Sequence, residues 1–265
     1  MVSSGAGQYL NSSLFIGNNY VYLEETASTN EYLQSLNKEM KLPGGTVISA
    51  GYQTRGRGQA GATWESEKDQ NIMLSVLLYP KFLKTTNQFA LSKAMALAAR
   101  DFILTFLKDL PVKIKWPNDI LVSGQKICGI LIENGIKGDQ IDYCIIGMGL
   151  NINQIFNDGH RASLKSITGI DFDLRETETI LFSCIEARYL QLRNHEATIS
   201  ADYLETLFGL NQKRWFKDNI NGEDFEGVIK GVHTDGRLVI ETDEGEKIYN
   251  MKEITQRLTL SSNEG

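Results

Sequence analysis

The chain is poor in the residues that disulfide frameworks and metal centres need, with only three cysteines and three histidines among 265 residues. Cys128, Cys144 and Cys184 all sit inside apolar segments. An odd count in such places fits buried thiols in a reducing compartment, so a cytoplasmic protein is expected. The histidines lie far apart and never neighbour a cysteine, which excludes zinc-site spacing. No apolar run approaches the roughly 20 residues that span a bilayer. Residues 1–8 lack the basic-then-apolar order of a signal peptide and read as a frayed end. Basic side chains are outnumbered, 27 Lys+Arg against 33 Asp+Glu, and the net charge of −6 argues against general nucleic-acid binding. There is no internal repeat and no low-complexity linker. What is present is ordinary for a globular protein, 42% hydrophobic and 23% charged. The length suits one large domain or one domain with a small appendage.

The most distinctive stretch runs from Gly51 to Trp64, after an apolar run, Thr46 to Ala50, that reads as a strand. Gly56, Gly58 and Gly61 alternate there with Arg55 and Arg57. Glycines at that density let backbone amides approach a ligand closely. Arginine supplies a permanent charge in a planar fork that suits phosphate or carboxylate. Trp64 ends the stretch with a flat, mostly apolar plate. The combination suits a loop that closes over an anionic ligand with an apolar part; the plainer alternative is a solvated Gly/Arg turn between strands.

Read in order, residues 14–17 and 20–23 suggest short strands around Asn18-Asn19. Ser28, Thr29 or Asn30 caps a helix carrying Tyr32, Leu33 and Leu36, and the same polar groups are placed to face a ligand. Residues 71–79 form a strand ended by Pro80. Residues 87–107 carry the clearest helical spacing and no chemistry of their own. Residues 112–122 read as two strand halves broken at Pro117, with Lys113 and Lys115 on one face and Val112, Ile114 and Trp116 on the other. Asn118 and Asp119 sit at that bend and hold either the bend or a metal. Residues 126–133 return, Gly138 starts another hairpin, and residues 141–153 form the next strand. Successive hairpins predict a mostly antiparallel mixed sheet packed with helices, an α+β fold and not a doubly wound one. Helices are predicted over 176–193 and 197–208. Beyond Trp215 short strands with Asp-Gly and Glu-Gly turns predict a small appended barrel.

Five stretches in this order resemble the biotin protein ligases: Ser28-Thr-Asn30; Gln53 through Trp64; Lys115-Trp-Pro-Asn-Asp119; Lys126 through Glu133; and Gly147-Met-Gly-Leu-Asn-Ile-Asn153. The resemblance implies a class II synthetase-like catalytic domain over residues 1–212 and an SH3-like barrel over 213–265. It implies that biotin and ATP form biotinyl-5′-AMP with Mg2+, and that a lysine of a biotin carboxyl carrier protein or domain, in acetyl-CoA carboxylase or a related carboxylase, then takes the biotinyl group. Lys126 and Arg57 are the implied catalytic cations. Ser28, Thr29, Asn30, Gln53, Gly56, Arg57, Gly58, Gln59, Trp64, Lys126 and Gly129 are the implied biotin contacts. Arg57, Gln59, Trp64, Lys115, Asn118 and Asn151 are implied for the nucleotide, with Asp119 the one candidate metal ligand. The residue types suit that chemistry. Two mutually repelling anions need positive charge between them. A neutral ureido ring needs neutral partners, since each unpaired buried group costs about 1–3 kcal/mol. No enzyme nucleophile is needed, because the attacking amine belongs to the carrier.

Two features depart from some relatives. Fewer than thirty residues precede Ser28, against the roughly 50 a DNA-binding domain needs, so a monofunctional ligase that binds no DNA and no membrane is expected, as monomer or homodimer. Gln59 stands where some relatives carry a third arginine, which removes one charge near the adenylate. The competing readings are a lipoate ligase, disfavoured by the polar set Ser28, Thr29 and Gln53, a non-catalytic cofactor-binding module, and a purely structural protein.

Overall fold

A computed structural model describes residues 13–258, so the reading of residues 1–8 lies outside it. Its centre is a seven-stranded sheet in the order β1-β2-β3-β7-β6-β5-β4. These strands are β1 (Tyr20–Leu23), β2 (Val47–Ala50), β3 (Ile72–Leu78), β4 (Val112–Lys115), β5 (Asp119–Val122), β6 (Gln125–Lys137) and β7 (Gln140–Leu150). β1 and β2 run parallel and every other neighbouring pair is antiparallel, giving the mixed sheet that the hairpins predict. β3 is buried along its whole length, which explains why it is apolar almost throughout and shows no alternation.

The two faces of the sheet are covered differently. Ile72, Leu74 and Val76, with Ile146, Met148 and Leu150 opposite them, pack in the main core with the helix α2 (Phe89–Phe106). The other face carries Leu77 and Ile145, which pack with Ile48 and with Leu33 of α1 (Thr29–Met40). Beyond the reach of α1 that face continues through Ser75, Gly147, Gly149, Gly129 and Leu131. Glycines at alternate positions strip it of side chains, and the first turn of α1 stands at its border.

Three readings are corrected. Residues 14–17 form no strand. The backbone amides of Leu14, Phe15 and Ile16 donate to the buried Glu186 carboxylate at 2.5, 2.8 and 3.1 Å, and only that of Gly17 meets a backbone carbonyl, that of Gly45 at 2.9 Å. The two halves flanking Pro117 are not one broken strand but an antiparallel hairpin, with Lys115 opposite Asp119. A short helix, α3 (Leu164–Thr168), was not anticipated; its capping box uses Ser163 and Ser166 in place of the usual acidic partner.

The later helices are α4 (Leu174–Asn194) and α5 (Glu196–Glu205). The short strands expected beyond Trp215 are present within a five-stranded antiparallel sheet of β8 (Lys213–Asp218), which holds Trp215 itself, β9 (Asp224–Val232), β10 (Leu238–Thr242), β11 (Gly245–Tyr249) and β12 (Ile254–Gln256). Side-chain bonds tie it to the first sheet's surroundings: Trp116 Nε1 donates to the Gly236 carbonyl at 2.9 Å, Gln256 Nε2 to the Phe208 carbonyl at 3.2 Å and Gln59 Nε2 to Met251 Sδ at 3.6 Å.

Candidate active site

Over the glycine-rich half of the open face lies a cavity of about 260 Å³. It gathers Ser28, Thr29 and Asn30 from α1, Gln53, Arg57, Gly58, Gln59 and Trp64 from the Gly/Arg loop, Lys115, Asn118 and Asp119 from the β4–β5 hairpin, and Lys126 and Gly129 from β6. Residues far apart in the chain therefore meet in one place. Gly56 and Asn151 do not line it. A side chain at Gly56 would strike the Trp64 carbonyl at 2.5 Å, so this glycine serves the loop's own closure.

One end of the cavity is polar and neutral. Ser28 is the N-cap of α1, yet its side chain makes no capping bond, which leaves a buried hydroxyl for the cavity. Gln53 Oε1 accepts from the Thr29 amide at 2.8 Å and from the Thr29 hydroxyl at 3.2 Å. The Ser75 hydroxyl donates to Asn30 Oδ1 at 2.6 Å and lies 2.7 Å from Thr29 Oγ1. Asn30 Nδ2 donates to Glu133 at 2.8 Å, so both ends of that amide are already spent inside the protein. Gly147 makes this possible: a Cβ there would come within 3.0 Å of Asn30 Cγ.

The other end is cationic. Lys126 Nζ lies 2.7 Å from Asp119 Oδ1 and 5.9 Å from the centre of the Trp64 ring. That uses one of the three ammonium donors. The backbone of Lys126 is clamped by bonds from its amide to the His160 carbonyl at 2.8 Å and from the Ala162 amide to its carbonyl at 2.9 Å. Asn151 Nδ2 donates to the carbonyls of Lys126 and Ala162 at 3.3 and 3.0 Å, so it supports the lysine from behind and is buried away from the cavity. Burial pushes the Lys115 ammonium below its ordinary pKa; Asp119 opposes that shift and Lys126 reinforces it. Asn118 donates to the Ile130 carbonyl and holds the bend. Among the described residues, Asp119 is the only carboxylate lining the cavity and no group of three acidic, His or Cys side chains converges.

Trp64 roofs the glycines. A Cβ on Gly149 would come within 2.5 Å of Trp64 Cζ2, and one on Gly129 within 3.2 Å of both Trp64 Cζ3 and Lys126 Nζ. The indole Nε1 is buried with no hydrogen-bond partner among the described residues, as is Gln256 Oε1 on the cavity's far wall. Unsatisfied buried groups on a cavity wall mark where a polar ligand would bond. Trp116 is buried and bonds to Gly236, so it acts as a junction between the sheets. Sequence reasoning missed Leu238, Met251, Ile254, Thr255 and Gln256, which close the cavity from the C-terminal sheet. It also missed Ser75, and it singled out the stretch holding Gly147 and Gly149 without giving either glycine a role; the glycines at 129, 147 and 149, once paired in register, were the available signal.

Comparison with known proteins agrees with this geometry. The profile of the Biotin/lipoate A/B protein ligase family matches residues 22–151. The Bifunctional ligase/repressor BirA of Bacillus subtilis is 31% identical over 244 residues, covering 89% of this chain and 73% of that protein. The Biotin--[acetyl-CoA-carboxylase] ligase of Mycobacterium tuberculosis is 29% identical over 221 residues, covering 82% and 81%. The structure of the biotin protein ligase from Aquifex aeolicus in complex with biotin and ATP superposes with a TM-score of 0.74 at 26% identity, covering 91% of this chain and 99% of that one.

Proposed function

The chain belongs to the biotin/lipoate A/B protein ligase family, and from that premise we propose that its cavity joins biotin to ATP and passes the product to a carrier lysine. The protein is a biotin–protein ligase. A carboxylate oxygen of biotin attacks the α-phosphorus of ATP, and pyrophosphate leaves. The lysine amine of a biotin carboxyl carrier protein or domain then attacks the acyl carbon of biotinyl-5′-AMP, loses a proton and expels AMP.

One observation carries the residue assignment. A neutral hydrogen-bonding end (Ser28, Thr29, Gln53) and a cationic end (Lys126, Lys115) share one cavity, with Arg57 in its wall, as a neutral ring with a carboxylate tail requires. Lys126 has two donors left beyond Asp119 and is assigned to the carboxylate and α-phosphate, where charge changes in the transition state. Lys115, Arg57 and Gln59 are assigned to the nucleotide. Trp64 covers the junction and keeps water from the mixed anhydride. Magnesium enters as part of the MgATP substrate; a single cavity carboxylate, already paired with Lys126, fits an ion carried mainly on phosphate oxygens. The division into a catalytic unit over residues 1–212 and an appended unit over 213–265 belongs to the same reading, supported by the separate sheets. A cytoplasmic setting is consistent with the absence, among the described residues, of any helix long and apolar enough to cross a membrane.

The test is AMP release from ATP and a carrier domain with biotin or lipoate as the acid. Biotin-dependent AMP and a biotinylated carrier are expected. Equal turnover with lipoate would shift the assignment to a lipoate ligase, and no AMP with either would leave a binding module.

A further inference from the structure

Arg57 is not free in the cavity wall. Its Nη2 donates to both oxygens of Glu133, at 3.0 and 2.8 Å, and its Nε faces Glu31 at 3.4 Å. Nη1 donates no hydrogen bond among the described residues. Glu133 itself does not line the cavity and stands behind the arginine. Its carboxylate is fixed from a second direction by Asn30 Nδ2 at 2.8 Å, and Asn30 is fixed in turn by Ser75. Glu133 sits on β6 in alternation with Gly129 and Leu131, so it projects from the sheet face that floors the site. Arg57 belongs to a Gly-flanked loop with little to define its rotamer. A long, half-exposed side chain of this kind gives up substantial rotamer freedom when a ligand orders it.

We propose that Glu133 is a positioning residue for the ligase reaction. It holds the Arg57 guanidinium in place before substrate arrives and leaves one nitrogen uncommitted for the phosphate. This rests on the reading of the cavity given above. The carboxylate reaches no substrate; it acts through Arg57 and lowers the ordering cost of the phosphate contact. Asn30, expected from the sequence to touch biotin, is part of this support. Gly147 is small because Asn30 must reach Glu133.

The test is a double-mutant cycle of E133Q, R57A and the pair, read in biotin-dependent pyrophosphate exchange and in thermal unfolding. E133Q keeps the shape and the acceptor oxygen but removes the charge. It is expected to raise the KM for MgATP about tenfold, the scale of one charge-assisted contact, with kcat changed less than threefold. Added to R57A it is expected to change the KM less than twofold. An E133Q effect that persists in full beside R57A, or no E133Q effect on KM, overturns the proposal. If E133Q also unfolds more easily, biotin affinity measured by calorimetry decides. Affinity within threefold of wild type retains the positioning role, and a loss equal to that for MgATP assigns Glu133 to general support of the pocket and refutes it. A wild-type chain without exchange activity contradicts the function instead. The same cycle is then read in MgATP binding, where additive effects would still refute the positioning role.

Discussion

Replacing Gly149 with alanine isolates the role of Trp64. The backbone at 149 is ordinary strand, paired with Met73 and Gly129. Alanine loses less backbone freedom on folding than glycine, which alone would stabilise the strand by roughly 0.5–1 kcal/mol. Against this, the new methyl would lie 2.5 Å from Trp64 Cζ2 and 2.7 Å from Cδ2, so the ring must leave its seat. Overpacking of this kind costs about 1–3 kcal/mol. The two effects oppose, so the unfolding free energy of the empty protein should fall by only about 0–2.5 kcal/mol. Ligand binding has no such compensation. Trp64 closes the Gly/Arg loop through its amide bond to the Gly56 carbonyl at 3.0 Å, and its displaced indole no longer covers the cavity. Affinity for biotin with a non-hydrolysable ATP analogue should fall about 10- to 100-fold, the equivalent of roughly 1.4–2.7 kcal/mol. Calorimetric titration measures it. In a Trp64→Ala background the added methyl meets no ring and should cost nothing further. Wild-type affinity in G149A, or an undiminished effect of G149A beside W64A, would refute the reasoning.

Three further outcomes are expected. Arg55 has a side chain 76% exposed and Arg57 one 40% exposed, so trypsin should cut the empty loop at these residues, and biotin with ATP should slow the cleavage at least several-fold; equal digestion rates would mean the loop does not close. Asn151→Ala removes two bonds to buried carbonyls and should cost about 1–3 kcal/mol in denaturant unfolding while also weakening adenylation, since it backs Lys126; a stable, fully active variant would contradict the supporting role. Burial raises the Glu178 carboxyl above its ordinary 4.5, opposed by hydrogen bonds from Ser49 and Tyr20 and by Arg175. The folded protein then holds a proton that the unfolded chain has lost, so this group's contribution is full below about pH 4.5 and fades as pH rises through the folded value. Glu178→Gln should flatten that dependence in melting curves between about pH 4 and 8, with the variant gaining on the wild type as pH rises; a parallel pair of curves would refute it.

The helices and hairpins were legible because periodicity and turn chemistry agree with the tertiary structure. The helix read over 87–107 is observed as Phe89–Phe106, and the Ser123-Gly124 turn takes positive φ at both residues as a two-residue hairpin does. Residues 14–17 misled because the amides of Leu14, Phe15 and Ile16 bond to Glu186, a partner some 170 positions away that no local pattern reveals. Within the site, the loop and the polar cap of α1 could be nominated from residue type, and Lys115 and Lys126 from the family resemblance. Their support could not. Glu133 looked like the end of an apolar strand and Asn151 like a ligand contact, and nothing in the sequence says that Asn30, which lines the cavity, also bonds to Glu133 and Ser75. The walls given by Met251 and Gln256 depend on how the second sheet packs, which only the fold supplies.

The central claim is that Lys126 brings the carboxylate and the α-phosphate together in this cavity. Exchange of labelled pyrophosphate into ATP, with and without biotin, tests it in the purified protein and in Lys126→Ala. The account predicts exchange that depends on biotin in the wild type and falls at least about 100-fold in the variant, roughly 2.7 kcal/mol of barrier. Exchange by Lys126→Ala at the wild-type rate, or exchange that ignores biotin, would contradict it.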